Sequence, residues 1–252
     1  MKIVVINGTE KKGVTYRLKE AFLEPFRAFA EITEYVLPKD CPAFCQGCTS
    51  CFAKGEATCK DRAYVEVIEK SLLESDLIVM TSPTYVKHVT GAMKSLLDHF
   101  GYRWISHRPA AEMFGKRAVI ITQCLGGGSR TTAKDIKHSL SWWGISEIGV
   151  FSGTLYGNVV WECLSEQRRK KLLAGVAKLS RAYAKKDYTR PARTRLIVKL
   201  RFLFSRWLQK RLHRSIPETL DWRYWQEKGW LDAARPWRKY SSSYTIAKIS
   251  MN

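Results

Sequence analysis

The strongest constraint on the fold is a repeated pattern of short runs that are apolar at nearly every position, each followed by a stretch with helical spacing. Residues 2–6 (Lys-Ile-Val-Val-Ile), 76–81 (Asp-Leu-Ile-Val-Met-Thr) and 117–122 (Arg-Ala-Val-Ile-Ile-Thr) are of this kind. A strand with one face in water alternates polar and apolar residues, whereas a strand without alternation is covered on both faces. Residues 31–37 alternate well enough for another strand, and residues 146–153 supply a fifth. Between them lie helical patterns. Leu18, Phe22, Phe26 and Phe29 share one helix face, with Pro25 predicted to kink it; Met93, Leu96, Leu97 and Phe100 follow the i, i+3, i+4, i+7 rule; and residues 64–73, 130–143 and 165–183 read as further helices. Strands separated by helices predict an α/β fold, a doubly wound parallel sheet of five strands. No internal repeat is visible.

With 252 residues, 45% hydrophobic and 26% charged, the chain has the makeup of a globular domain, and wholesale disorder is excluded. Residues 1–184 are predicted to form the α/β domain and residues 185–252 an extension. No apolar run approaches the roughly 18 residues that cross a bilayer, and the opening apolar stretch is too short for a secretory signal, so a cytoplasmic location is the expectation. The net charge of +20 is unevenly spread: residues 1–184 carry 26 basic and 18 acidic side chains, residues 185–252 carry 17 and 5. Such a surplus favours anionic partners and says nothing about fold.

In an open parallel sheet the ligand sits at the carboxyl ends of the strands. Three of these ends carry suitable loops. The first strand runs into Asn7-Gly8-Thr9-Glu10-Lys11-Lys12-Gly13-Val14-Thr15 and directly into a helix. Glycines, hydroxyls and lysines at a helix N-terminus suit a phosphate, although Thr15 as an ordinary N-cap is the alternative. The third strand ends in Ser82-Pro83-Thr84-Tyr85, with an aromatic ring to set beside a flat ligand. The fourth ends in Gly126-Gly127-Gly128, which lets main chain approach such a ring. Together the three loops point to a planar, phosphorylated ligand.

These loops, with the segment from Thr90-Gly91-Ala92 to Asp98 and a cysteine cluster after the second strand, resemble the flavodoxin-like NAD(P)H-dependent FMN reductases, most of all their iron-sulfur flavoprotein branch. The resemblance covers residues 1–180. It implies FMN held by its phosphate at Thr9, Lys11 and Thr15. Ser82, Pro83, Thr84 and Tyr85 would line the ribityl chain and ring, and Gly126 and Gly127 would lie along the ring. It departs from the usual pattern at Thr9 and Lys11, which replace serine and arginine, at Val14, where a polar residue is usual, and at His99, where arginine is common. His88 and His138 read as structural, because a flavin carries the chemistry itself.

Five of the seven cysteines, Cys41, Cys45, Cys48, Cys51 and Cys59, fall within 19 residues. The spacing Cys45-x2-Cys48-x2-Cys51-x7-Cys59 suits a four-iron, four-sulfur cluster; a zinc site and a loop without metal are the alternatives. Cys124 and Cys163 read as bystanders.

In the extension, residues 185–214 hold eleven basic residues and one acid, Asp187. On a helical wheel Leu196, Ile197, Leu200, Leu203, Phe204, Trp207 and Leu208 form one broad apolar face, which Val198 and Phe202 break. Residues 193–214 therefore read either as a helix lying on an anionic membrane or as one docked on protein. An aromatic run follows from Asp221-Trp222-Arg223-Tyr224-Trp225 to Trp237. Nucleic acid is the weaker reading, because no recognition motif accompanies the charge. The function expected is a flavin-dependent oxidoreductase that takes hydride from NAD(P)H and reduces a small acceptor such as a quinone or flavin. The alternative is an electron-transfer module passing electrons between proteins, possible at the membrane. A homo-oligomer, dimer or tetramer, is the expected assembly.

Overall fold

Five strands, β1 (Lys2–Asn7), β2 (Glu31–Val36), β3 (Leu77–Pro83), β4 (Arg117–Leu125) and β5 (Glu147–Leu155), form one parallel sheet in the order β2-β1-β3-β4-β5. The computed structural model describes residues 1–237. The three central strands are the ones whose sequences are apolar without alternation, and they are buried on both faces. The edge strands β2 and β5 have one side open and are only partly covered, which explains their mixed composition.

Alternate residues of each central strand feed two separate cores. Ile3, Val5, Leu77, Val79, Val119 and Ile121 pack under α1 (Val14–Leu23) and α6 (Glu166–Ala184). Val4, Ile6, Ile78, Met80, Ala118 and Ile120 face the other way. They pack beneath α3 (Arg62–Glu74), α4 (Gly91–His99) and α5 (Ser129–Trp142). The chain crosses from one side to the other between β1 and β3, so strand order reverses there, and the loops after β1 and β3 open a crevice at the carboxyl edge.

The predicted kinked helix is instead broken. α1 stops at Leu23, and Pro25 starts a 3-10 turn, Glu24–Phe26. Proline lacks the N–H that the helix would need and its ring collides with the preceding turn. Phe22 and Phe26 remain stacked at 5.5 Å in the core, but Phe29 swings out to 53% exposure. The cysteine loop is not wholly irregular: a single turn, α2 (Ser50–Ala53), and a 3-10 turn, Glu56–Thr58, sit inside it.

Beyond α6, two helices, α7 (Leu196–His213) and α8 (Leu220–Glu227), form the C-terminal extension. They bury a third apolar cluster of Ile105, Phe114, Val198, Phe202, Trp225, Trp230 and Leu231. Phe202 is its centre, stacked on Trp225 at 4.8 Å and edge-on to Trp230 and Trp237. The docked face of α7 is not the broad apolar face of the helical wheel but the side of Val198 and Phe202, which break that pattern. α7 packs through Val198, Phe202, Ser205, Arg206 and Gln209, and the broad apolar face lies outside. Trp225, Trp230 and Trp237 of the aromatic run cover Phe202, while Trp222 stacks on His213 at 3.7 Å. No helix among the described residues is long and apolar enough to cross a membrane.

Candidate functional site: the loops after the first, third and fourth strands

The crevice at the carboxyl edge holds a pocket of about 170 Å³ lined by Thr9, Lys11, Gly13, Val14, Thr15, Pro83, Thr84, Tyr85, Gln123, Leu125 and Val159. Gly8, just before the lining residue Thr9, ties the β1 loop to β3: its N–H donates to the Thr81 carbonyl at 2.7 Å, and a Cβ there would lie 2.8 Å from that oxygen. Thr90 holds the loop from the other side by donating its hydroxyl to the Gly8 carbonyl at 2.6 Å while capping α4 through the Met93 N–H.

The first turn of α1 is left open toward the pocket. Gly13 is the N-cap and offers no side chain, and the turn contains no acid. The first N–H groups of a helix have no intrahelical partners, and the dipole makes this end attractive to an anion. Thr15 is therefore not the N-cap. It sits inside the turn, 4% exposed, with a hydroxyl that is buried and has no hydrogen-bond partner. An orphaned buried hydroxyl is costly unless a ligand completes it. The side-chain carbonyl oxygen of Gln123, at the end of β4, is orphaned in the same way. These residues fit a phosphorylated cofactor: N–H groups, Thr15 and Lys11 at one end, and Pro83, Tyr85 and Leu125 beside a flat ring at the other.

Most of the site residues read from sequence meet here. Thr9, Lys11, Thr15, Pro83, Thr84 and Tyr85 line the pocket, with Tyr85 half exposed and free to face a ring. The Thr84 hydroxyl is already engaged by Thr132 at 2.8 Å. Ser82 does not reach the pocket; it is fully buried, donating to the Pro83 carbonyl and accepting from the Thr90 N–H. Its role is to hold the loop. Gly126 and Gly127 lie next to the lining residue Leu125, and a Cβ on either would meet open space. Gly128 is different: at φ +104° its Cβ would fall 2.9 Å from Lys87 Cα, so it is the point where the two loops touch. That contact packs the β4 loop against the tight turn from Tyr85 to His88, in which Val86 and Lys87 both have positive φ. Backbone strain at a β-branched residue is tolerated where the surroundings dictate it. Gln123 and Val159 were not anticipated. A glutamine ending an apolar strand was the signal for the first.

The cysteine loop is tied to α4 by the Ser95 hydroxyl, which donates to the Ala43 carbonyl at 3.1 Å. Cys45 and Cys48 are exposed, Cys51 and Cys59 half-buried and Cys41 buried. Among the described residues no three His, Cys, Asp or Glu side chains converge as a metal site, so the loop as folded does not preform one. The thiols nevertheless influence one another: burial, then Cys59 and Cys45, push the Cys51 thiol up. Burial, Asp61 and Cys59 push Cys41 up to about 11. Cys48 is lowered by hydrogen bonding from Ser50.

A buried ion network, unforeseen from sequence, ties this loop to the extension. Asp221 of α8 accepts from Arg108 at 2.5 Å and sits 2.7 Å from His107 Nδ1. Arg108 also donates to the Cys51 carbonyl and to Glu56. Glu56 accepts from Arg103, which pairs with Glu69; Glu69 also accepts from Arg62 at 2.7 Å and Tyr102 at 2.8 Å. Burial alone would raise the Glu69 carboxyl, but Arg103, Arg62 and Tyr102 hold it below the ordinary value. Glu69 stands among Val65, Ile68 and Leu72 on the apolar face of α3, which was its one trace in the sequence. His138 packs on Trp104 and Trp142, and exposed His88 lies 3.0 Å from Asp135.

The strand order and the three loops define a flavodoxin-like protein whose pocket takes a phosphorylated planar cofactor. Residues 1–154 match the family model described as NADPH-dependent FMN reductase. The chain belongs to that family, and with it is an FMN- and NAD(P)H-dependent oxidoreductase. An iron-sulfur flavoprotein of Archaeoglobus fulgidus is 28% identical over 239 residues, covering 92% of this chain and 100% of the relative. A second iron-sulfur flavoprotein of that organism is 38% identical over 99 residues, 39% of this chain and 48% of the relative, so this match spans about half its length. Among solved structures, an FMN-dependent NADH-azoreductase from Bacillus anthracis in complex with FMN shares the fold, with a TM-score of 0.54 at 14% identity over 73% of this chain and all of its own.

Proposed function

We propose that this oxidoreductase takes hydride from NADH or NADPH and passes the electrons to a small, planar, redox-active acceptor such as a quinone or a free flavin. The observation that carries this reading is the pocket's asymmetry. Its polar side carries Thr9, Lys11 and the buried Thr15, whereas its apolar side is flanked by exposed Tyr85, Leu125, Val159 and Val160. When bound, FMN supplies the hydride-accepting chemistry. Thr9, Lys11 and Thr15 would hold its phosphate, and Pro83, Tyr85 and Leu125 would flank its ring. No side chain is required as a proton carrier in this reading. Stopped-flow mixing of the FMN-loaded protein with NADH and with NADPH, followed by a quinone or flavin, tests it: rapid bleaching and reoxidation are expected, and a flavin that neither nicotinamide bleaches would overturn it.

A second reading is supported by the spacing Cys45-x2-Cys48-x2-Cys51-x7-Cys59 and by the names of the relatives. Here Cys45, Cys48, Cys51 and Cys59 close on a four-iron, four-sulfur cluster after the loop rearranges, and the chain passes electrons between proteins as a dimer or tetramer. Iron and acid-labile sulfide measured in anaerobically purified protein, with its sedimentation mass, decide this reading. Stoichiometric FMN without iron or sulfide removes it.

A further inference from the structure

Sequence left two fates open for α7, a membrane surface or a protein partner, as though one face had to serve either. The structure separates two faces. The docked residues Val198, Phe202, Ser205, Arg206 and Gln209 repeat the spacing of Leu196, Leu200, Leu203, Phe204 and Trp207, shifted by two positions. At 3.6 residues per turn, two positions are a rotation of about 200°, so the sets lie on opposite sides of the helix. The buried side is the more polar. Arg206 and Gln209 are held there by hydrogen bonds to the Ala234 and Ser106 carbonyls, both at 2.8 Å. The apolar side faces outward, with Leu196 70%, Phe204 58% and Trp207 54% exposed.

We propose that this outward face of α7 docks the protein onto an anionic lipid surface. A contiguous apolar strip on a folded protein marks an interaction surface, and three observations choose the occupant. First, exposed Arg193, Arg195, Lys210, Arg211 and Arg214 flank the strip, and no acid occurs in residues 188–217. A second copy laid on the same face would set these rows of like charge against each other, whereas anionic headgroups would neutralise them. Second, the strip mixes Leu and Ile with Phe204 and Trp207 on a helix already ordered by its inner face, so little ordering entropy is lost on contact. Third, α7 rests on Ile105, Phe114 and Trp142, beyond the end of α4, ahead of β4 and at the end of α5. These positions lie at the amino edge of the sheet, away from the flavin loops, so a surface-bound molecule keeps its pocket open.

Co-sedimentation of the FMN-loaded full chain with vesicles provides the test. Binding is expected with phosphatidylcholine vesicles that contain phosphatidylserine, weakening with added salt, and roughly tenfold or more weaker for the pair Leu200→Ser and Phe204→Ser. The pair Lys210→Gln and Arg211→Gln is expected to lower binding to the anionic vesicles only. Both pairs lie on the exposed face, so unchanged FMN content and Tm serve as controls. No binding, or equal binding to phosphatidylcholine alone, overturns the proposal. Loss of a dimer in the serine variant, without vesicle binding, overturns it in favour of a second copy.

Discussion

The N-terminus of α1 and the outward face of α7 are both unfinished surfaces, but of opposite kinds. At α1 the incompleteness is polar and recessed: an uncapped first turn and a buried Thr15 hydroxyl with no partner. At α7 it is apolar and convex: leucines, Phe204 and Trp207 stand in water between arginines and lysines. A recessed polar deficit calls for a small ligand with the complementary charge, because only a ligand of matching shape can satisfy donors that water does not reach. A convex apolar strip calls for a broad surface, since its gain grows with area removed from water. One fold thus carries a site for a cofactor and, apart from it, an exposed apolar face on α7 for which a lipid surface is proposed.

The comparison depends on α7 being an integral part of the molecule, and Phe202 gives the harshest trial of that. Phe202→Ala removes the ring that stacks on Trp225 and meets Trp230 and Trp237 edge-on, and is expected to cost about 3–5 kcal/mol, read as a lower Tm with a red-shifted tryptophan emission. An unchanged Tm would mean that α7 and α8 contribute nothing to the fold. Of comparable size is the loss of Glu69, whose carboxylate neutralises Arg62 and Arg103; breaking such a buried pair costs about 3–5 kcal/mol. Its carboxyl is held below the unfolded value, so its contribution is complete above the unfolded pKa and is lost as pH falls through the lower folded value. Denaturant midpoints should therefore fall on acidification less steeply in Glu69→Gln than in the parent chain.

At the polar end, Thr15→Val and Lys11→Ala should each weaken FMN. Hydrogen bonds to a charged group are worth roughly 1.5–3 kcal/mol, or about ten- to a hundredfold in Kd, measurable by quenching of flavin fluorescence. If Thr15→Val stabilises the apoprotein while FMN affinity is unchanged, the orphaned hydroxyl serves no ligand and the contrast with α7 collapses. The smallest effect is one of ordering. With an alkylating reagent near neutral pH, Cys48 should react first and Cys41 last, because hydrogen bonding from Ser50 favours the Cys48 thiolate and burial disfavours that of Cys41. Peptide mapping over time gives the order.

Much of the flavin site was legible because its parts are local. Gly8, Lys11, Thr15, Pro83 and Tyr85 follow strand ends directly, and a parallel sheet brings strand ends to one edge whatever the details. Ser82 was misread in direction only: its position at the strand end is right, but its side chain turns inward to Thr90. Apart from Glu69 on the apolar face of α3, the network from Asp221 through Arg108 to Glu69 left no mark in the sequence, since its link from Asp221 to Arg108 joins residues 113 positions apart and no periodicity marks such a pairing.

By itself the sequence determined the sheet, the helices and the loops that meet at its edge, because strand burial and helix periodicity are properties of neighbouring residues. It also determined that α7 would be amphipathic and basic. Which side of α7 would be buried was decided only in the tertiary structure. Phe202 fits between Phe114 and the tryptophans of the extension, and the Ala234 and Ser106 carbonyls accept hydrogen bonds from Arg206 and Gln209 respectively. A ring cluster with its polar flanks hydrogen-bonded displaced the longer apolar face from the core, and left that face outside.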